Sequence, residues 1–123
     1  MELDDAKLKE YRAGLKRMYE ERAAAFERER LELLERVRPA GEALRQLGAR
    51  EVILFGSILR PGYFDGASDI DILIVGLPEE HTWHALRAIE EATGIFNREL
   101  NPVFAEMVSE GLVTEARRTG ITL

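Results

Sequence analysis

Glu51-Val52-Ile53-Leu54-Phe55-Gly56-Ser57-Ile58-Leu59-Arg60-Pro61-Gly62, followed by Ser68-Asp69-Ile70-Asp71-Ile72-Leu73-Ile74-Val75, is the stretch that decides the fold. The first apolar run is a short buried strand closed by Gly-Ser. The second is another strand, entered from a turn-rich loop over 61–67. Asp69 and Asp71 stand two apart, so their side chains leave one face, while Ile70, Ile72 and Ile74 face a core on the other. Aspartate is depleted in strands, so two of them inside an Ile/Val run need a reason. Neighbouring carboxylates repel unless a cation lies between them, and magnesium, with its preference for oxygen ligands and substrate phosphates, suits the pair. Gly56 permits close approach of a phosphate, and Ser57 with the amides after it can donate to one. Strand-Gly-Ser is also an ordinary turn, and the aspartates give it weight. A Walker A loop and a spaced Gly-x-Gly-x-x-Gly are both missing. Together the two runs point to chemistry on a nucleoside triphosphate.

Outward from this centre, residues 4–38 carry no Pro, one Gly and dense mixed charge, which predicts a long helix. Leu8, Tyr11, Leu15 and Met18 form an apolar stripe at 3-4-3 spacing. Arg22 and Ala25 take the next seam positions, and the pattern resumes out of phase with Phe26, Leu33 and Val37. The stripe is either a face packed on the chain's own domain or a surface for a partner or second copy. Pro39 marks a break, and a helix continues through Leu44 and Leu47 to Gly48. Beyond the second strand, a helix is expected over 79–93, a third strand over 95–104 with an edge position at Pro102, and a last helix over 105–118. The order predicts an α/β (α+β) fold, a small mixed sheet covered by helices, with 1–38 as an N-terminal helical extension and 39–123 as the catalytic domain.

With 123 residues and 46% hydrophobic content, the chain can build one core. It has no cysteine, so disulfides and thiolate metal sites are excluded. Its net charge of -6 falls entirely on residues 39–123, because residues 1–38 hold ten acids and ten bases. That acidic body argues against a nucleic-acid surface and suits a cleft receiving a metal-bound nucleotide. The sequence shows neither a membrane-length apolar run nor a signal-like N-terminus, and a cytoplasmic protein is expected. His81 and His84 share a helix face, but two histidines alone are a poor metal site.

The segment 54–72 resembles the DNA polymerase beta-like nucleotidyltransferase superfamily, and within it the minimal nucleotidyltransferases. The resemblance rests on Gly56, Ser57, Asp69 and Asp71, with Leu54, Arg60, Gly62 and Ser68 matching the surrounding pattern. It implies the nucleotidyltransferase fold and a site in which Asp69 and Asp71 hold two magnesium ions. A third carboxylate is implied on a later strand, and Glu99 matches best, the alternative being a surface Glu paired with Arg98. Gly56, Ser57, Arg60 and Ser68 would then bind the nucleotide, although Arg60 is equally readable as a solvated loop residue. The implied reaction is in-line transfer of AMP from ATP, or of another NMP from its NTP, to a hydroxyl.

Minimal members of the family often act as antitoxins of HEPN-domain toxins. A protein acceptor fits a chain with little surface for a small-molecule pocket. The alternatives are a non-catalytic module that masks a partner through the N-terminal helix, and a small-molecule enzyme resembling the aminoglycoside-modifying transferases. The expected partners are a nucleotide, a HEPN-domain protein, and a second copy through the N-terminal helix, with no nucleic acid and no membrane.

Overall fold

The computed structural model describes residues 4–123, and the first three residues of the N-terminal extension lie outside the described residues. Asp4 caps the first helix, α1 (Asp5–Arg36), by accepting from the Lys7 amide at 2.7 Å. Pro39 then opens α2 (Pro39–Gln46), where a proline is tolerated because the first helical amide has no partner. The strands β1 (Glu51–Phe55), β2 (Ile70–Val75), β3 (Leu100–Phe104) and β4 (Ile121–Thr122) form one mixed sheet in the order β3-β2-β1-β4. β1 runs antiparallel to both β2 and β4, and β2 runs parallel to β3. The parallel pair needs a crossover, which α3 (Ala85–Thr93) supplies. A last helix, α4 (Glu110–Thr119), precedes β4.

The period-2 alternation of β1 and β2 divides the core in two. Val52, Leu54, Ile70, Ile72 and Ile74 face α2 and α3 and pack with Leu44, Ile89 and Ile95. Leu33 and Val37, from the C-terminal end of α1 and just beyond it, join this layer. Ile53, Leu73 and Val75 face the other way and are covered by Ala116 and Val113 of α4. Asp69 and Asp71 share the α4 face by parity, at the open end of the strand. Among the described residues no helix is long and apolar enough to cross a membrane.

The fold class is as the sequence indicates, and four local features differ. Residues 79–84 form a 3-10 helix, with the α-helix beginning only at Ala85. Acids at Glu79 and Glu80 make a good first turn, but Pro78 at the entry and the ring contact of Trp83 with His84 accompany a tighter winding. The third strand starts at Leu100 rather than at residue 95, because Ile95 turns into the core directly after Gly94, which ends α3 in the left-handed conformation. The last helix starts at Glu110, where Ser109 caps it, rather than at residue 105. β4 is absent from the sequence expectation because two residues carry no readable period. Pro102 does lie in an edge strand, as its missing donor requires.

Candidate functional site

Gly56 ends β1 with φ +89°, a conformation that side-chain-bearing residues rarely adopt. A Cβ built there would lie 2.5 Å from Asp71 Oδ2. Glycine is therefore required twice at this position, by the backbone angle and by the carboxylate pressed against it. Ser57–Leu59 follows as one 3-10 turn, closed by Leu59 N donating to Gly56 O and Arg60 N to Ser57 O. The amides of Ser57 and Ile58 open that turn and find no partner within it.

Register brings the second half of the motif alongside. Phe55 pairs with Asp71 on one side, and Asn101 pairs with it on the other. Asn101 Nδ2 donates to Asp71 Oδ1 at 3.0 Å. Burial pushes the Asp71 carboxyl above its ordinary value; the Asn101 bond opposes this and the charge of Asp69 adds to it. Asp71 is thus an oxygen donor held in place and partly starved of solvent, next to a second carboxylate. Such a donor set fits a hard divalent cation that keeps its remaining positions for water and phosphate. Among the described residues, no three His, Asp or Glu side chains gather closely enough to hold a metal by themselves.

Glu99 immediately precedes β3, and its carbonyl accepts from Ile70 N at 2.9 Å. Extending the β2–β3 register by one pair sets Glu99 beside Asp69, with its side chain exposed. Arg98 turns away from Glu99 and pairs with Glu29 of α1 instead. Ser68 is engaged in its own loop: its hydroxyl accepts from Asp65 N at 2.9 Å and lies 3.3 Å from Asp65 Oδ1. Arg60 is exposed, its guanidinium 4.0 Å from the centre of the Tyr63 ring. A cleft of about 560 Å³ opens beside Gly56, with Phe55, Leu59 and Leu112 among its apolar walls and Arg60 and Arg118 among its charged ones.

Two arginines brace the site from behind, and sequence reasoning missed both roles. Arg98 binds Glu29 in a two-pronged pair at 2.7 and 2.9 Å. Its Nη1 donates to the carbonyls of Asp65 and Ser68 at 2.6 and 3.0 Å, and its guanidinium lies 4.5 Å from the Phe64 ring centre. This pair holds Glu29 below the ordinary carboxylate range and Arg98 above its own. Arg30, one residue further along α1, donates to the Ile58 carbonyl at 3.0 Å while bound to Glu27. The helix thereby grips both the Gly-Ser turn and the loop leading into Asp69. The only local signal was two arginines in unremarkable charged contexts, because Glu29 and Arg98 are 69 residues apart.

A family model for the nucleotidyltransferase domain matches residues 34–110. No curated protein matches the chain. Among solved structures, a mutant form of the toxin–antitoxin MntA-HpeT is 23% identical, with a TM-score of 0.49. That match covers 67% of this chain and 66% of the other. A candidate nucleotidyltransferase from Sulfolobus solfataricus is 22% identical over 73% of this chain and 80% of its own, with a TM-score of 0.39.

Two outcomes follow from the geometry. Arg98→Ala strands Glu29 and two loop carbonyls, and is expected to lower unfolding stability by about 3 kcal/mol in urea melts. Arg98→Lys should recover less than half of that loss, since an ammonium cannot reproduce the two-pronged pair. Asp71 carries a raised carboxyl pKa, so its ionisation opposes folding once pH climbs above the ordinary value of 3.8 and through the folded one. Asp71→Asn should therefore raise the metal-free thermal midpoint at pH 7, with the gain vanishing below pH 3.8; calorimetric scans across that range measure it.

Proposed function

The chain belongs to the nucleotidyltransferase domain family, and we propose that it transfers AMP, or another NMP, from a nucleoside triphosphate to a hydroxyl with magnesium held by Asp69 and Asp71. One observation supports this proposal: a Cβ at position 56 would lie 2.5 Å from Asp71 Oδ2, so the Gly-Ser turn and the second aspartate stand against one another. Residues 39–123 act as the transferase domain, and 1–38 as a helical extension whose C-terminal turns brace it.

In this scheme Ser57 and the opening amides of its turn hold the terminal phosphates. The cleft beside Gly56 receives the base against Phe55 and Leu59, with Arg60 balancing phosphate charge. Asn101 fixes the rotamer of Asp71 through Oδ1, leaving Oδ2 as the presented donor. The acceptor oxygen attacks the α-phosphorus in line, the bond to the departing pyrophosphate breaks, and the hydroxyl proton passes to Glu99 or to solvent. Bound magnesium would neutralise phosphate charge and lower the pKa of the acceptor hydroxyl. For the acceptor we favour a hydroxyl on a protein, with a HEPN-domain toxin as the partner class. That assignment rests on the motif's likeness to the minimal nucleotidyltransferases.

A second reading draws on one observation of its own. Without a third carboxylate closed on the pair, the chain would bind a nucleotide or a partner and transfer nothing.

Titration calorimetry with ATP tests the nucleotide site, and transfer of labelled AMP from ATP to a HEPN-domain toxin separates the two readings. Binding that requires magnesium in the wild type, and that falls at least tenfold in Asp69→Asn/Asp71→Asn, is the expected result. Metal-independent binding, or binding that survives the double substitution, would place the nucleotide elsewhere.

A further inference from the structure

Helix α1 is 32 residues long, yet nothing before Arg30 in it is buried. Tyr11, Met18 and Tyr19 are 60%, 43% and 59% exposed. A solvated helix of this kind is only marginally stable by itself. Its seam supplies what is missing. Positions 8, 11, 15, 18, 22 and 25 are spaced 3-4-3-4-3, a pattern identical in both directions. We propose that α1 pairs with α1 of a second copy of this chain as a short antiparallel coiled coil, centred between Lys16 and Arg17.

The reversed register matches large with small and charge with ring. Leu8 meets Ala25, Tyr11 meets Arg22, and Leu15 meets Met18. Tyrosine under a guanidinium is a favourable contact, and methionine adapts to whatever shape leucine leaves. A parallel pair would set Arg22 against Arg22 at the seam and Ala25 against Ala25, a buried repulsion beside a void. Charge along the helix selects the same orientation. Residues 5–17 hold five bases and two acids, and residues 18–29 hold four acids and two bases. Antiparallel pairing lays each basic half on an acidic half and opposes the helix dipoles. The flanks are mixed: Arg12 comes near Tyr19 of the second copy, whereas Lys7 comes near Arg28 and is repelled.

The seam also leads somewhere. A groove of about 430 Å³ continues it, lined by Tyr19, Arg22, Phe26 and Glu27 on α1 and by Gly62 and Asp65 in the loop before Asp69. The antiparallel register sets residues 7–14 of the second copy, with three bases and one acid, opposite this largely apolar groove. Six seam positions over 18 residues span only about 27 Å. That contact is at the small end for a stable interface, so dimerisation in the micromolar range is expected.

The chain has no cysteine, which makes cross-linking clean. Leu8→Cys/Ala25→Cys is expected to form a disulfide-linked dimer under mild oxidation, while each single variant does not. The two copies of position 8 would lie about 25 Å apart, beyond disulfide reach. Sedimentation should show a concentration-dependent wild-type dimer, and Leu15→Asp should remain monomeric with reduced helix content, its urea midpoint independent of concentration and equal to that of the wild type diluted to monomer. Efficient cross-linking of Leu8→Cys alone would mean a parallel pair and overturn the proposal. A wild type that stays monomeric well above micromolar concentration would also overturn it, and would leave the stripe to a different protein.

Discussion

The bidentate pair between Glu29 and Arg98 joins three stretches of chain that share no local contact. It anchors the long helix, the entry to β3, and the loop through the carbonyls of Asp65 and Ser68. Both partners are largely shielded, so neither charge is satisfied without the other, and breaking one side leaves a costly orphan. The loop that delivers Asp69 is otherwise held by its own Asp65–Ser68 turn and by Phe64 buried in the core. Arg30 does for the Gly-Ser turn what Arg98 does for the loop, through the Ile58 carbonyl. The Gly-Ser turn and the loop into Asp69 are thus both tied to a helix outside the sheet, while Asn101 of the neighbouring strand holds Asp71.

The site itself is locally unfavourable. Two carboxylates lie side by side, one of them partly buried and pressed against Gly56, whose backbone angle favours glycine. Strain and repulsion of this kind persist where surrounding structure over-determines them, and they are typical of places built to receive a ligand. The rest of the chain compensates through two well-filled core layers. Among the described residues no buried side-chain polar atom lacks a partner.

What was legible in the sequence follows from the range of the forces. The strand pair, the Gly-Ser turn and the shared face of Asp69 and Asp71 arise from period and local turn chemistry, and were readable in 54–72. The sheet class followed from the order of elements. The antiparallel β1–β2 pairing, the two-residue β4 and the Asn101 contact with Asp71 depend on register between distant segments, which no local pattern encodes. Asn101 was within reach of a closer look, since it stands two residues beyond Glu99 on the same strand face. The Arg98–Glu29 brace was not, because surface and buried arginines look alike until the fold brings their partners near.

The claim at the centre of this account is that divalent metal seats at the paired aspartates beside the Gly-Ser turn. Manganese substituted for magnesium in an amide-resolved NMR titration tests it directly, because a paramagnetic ion broadens only what lies close to it. At sub-stoichiometric manganese, the amides of Gly56, Ser57, Asp69, Asp71 and Asn101 are expected to vanish first, with ATP sharpening that selectivity. Broadening that begins at the glutamates of α1, or spreads evenly over the acidic surface, would contradict it.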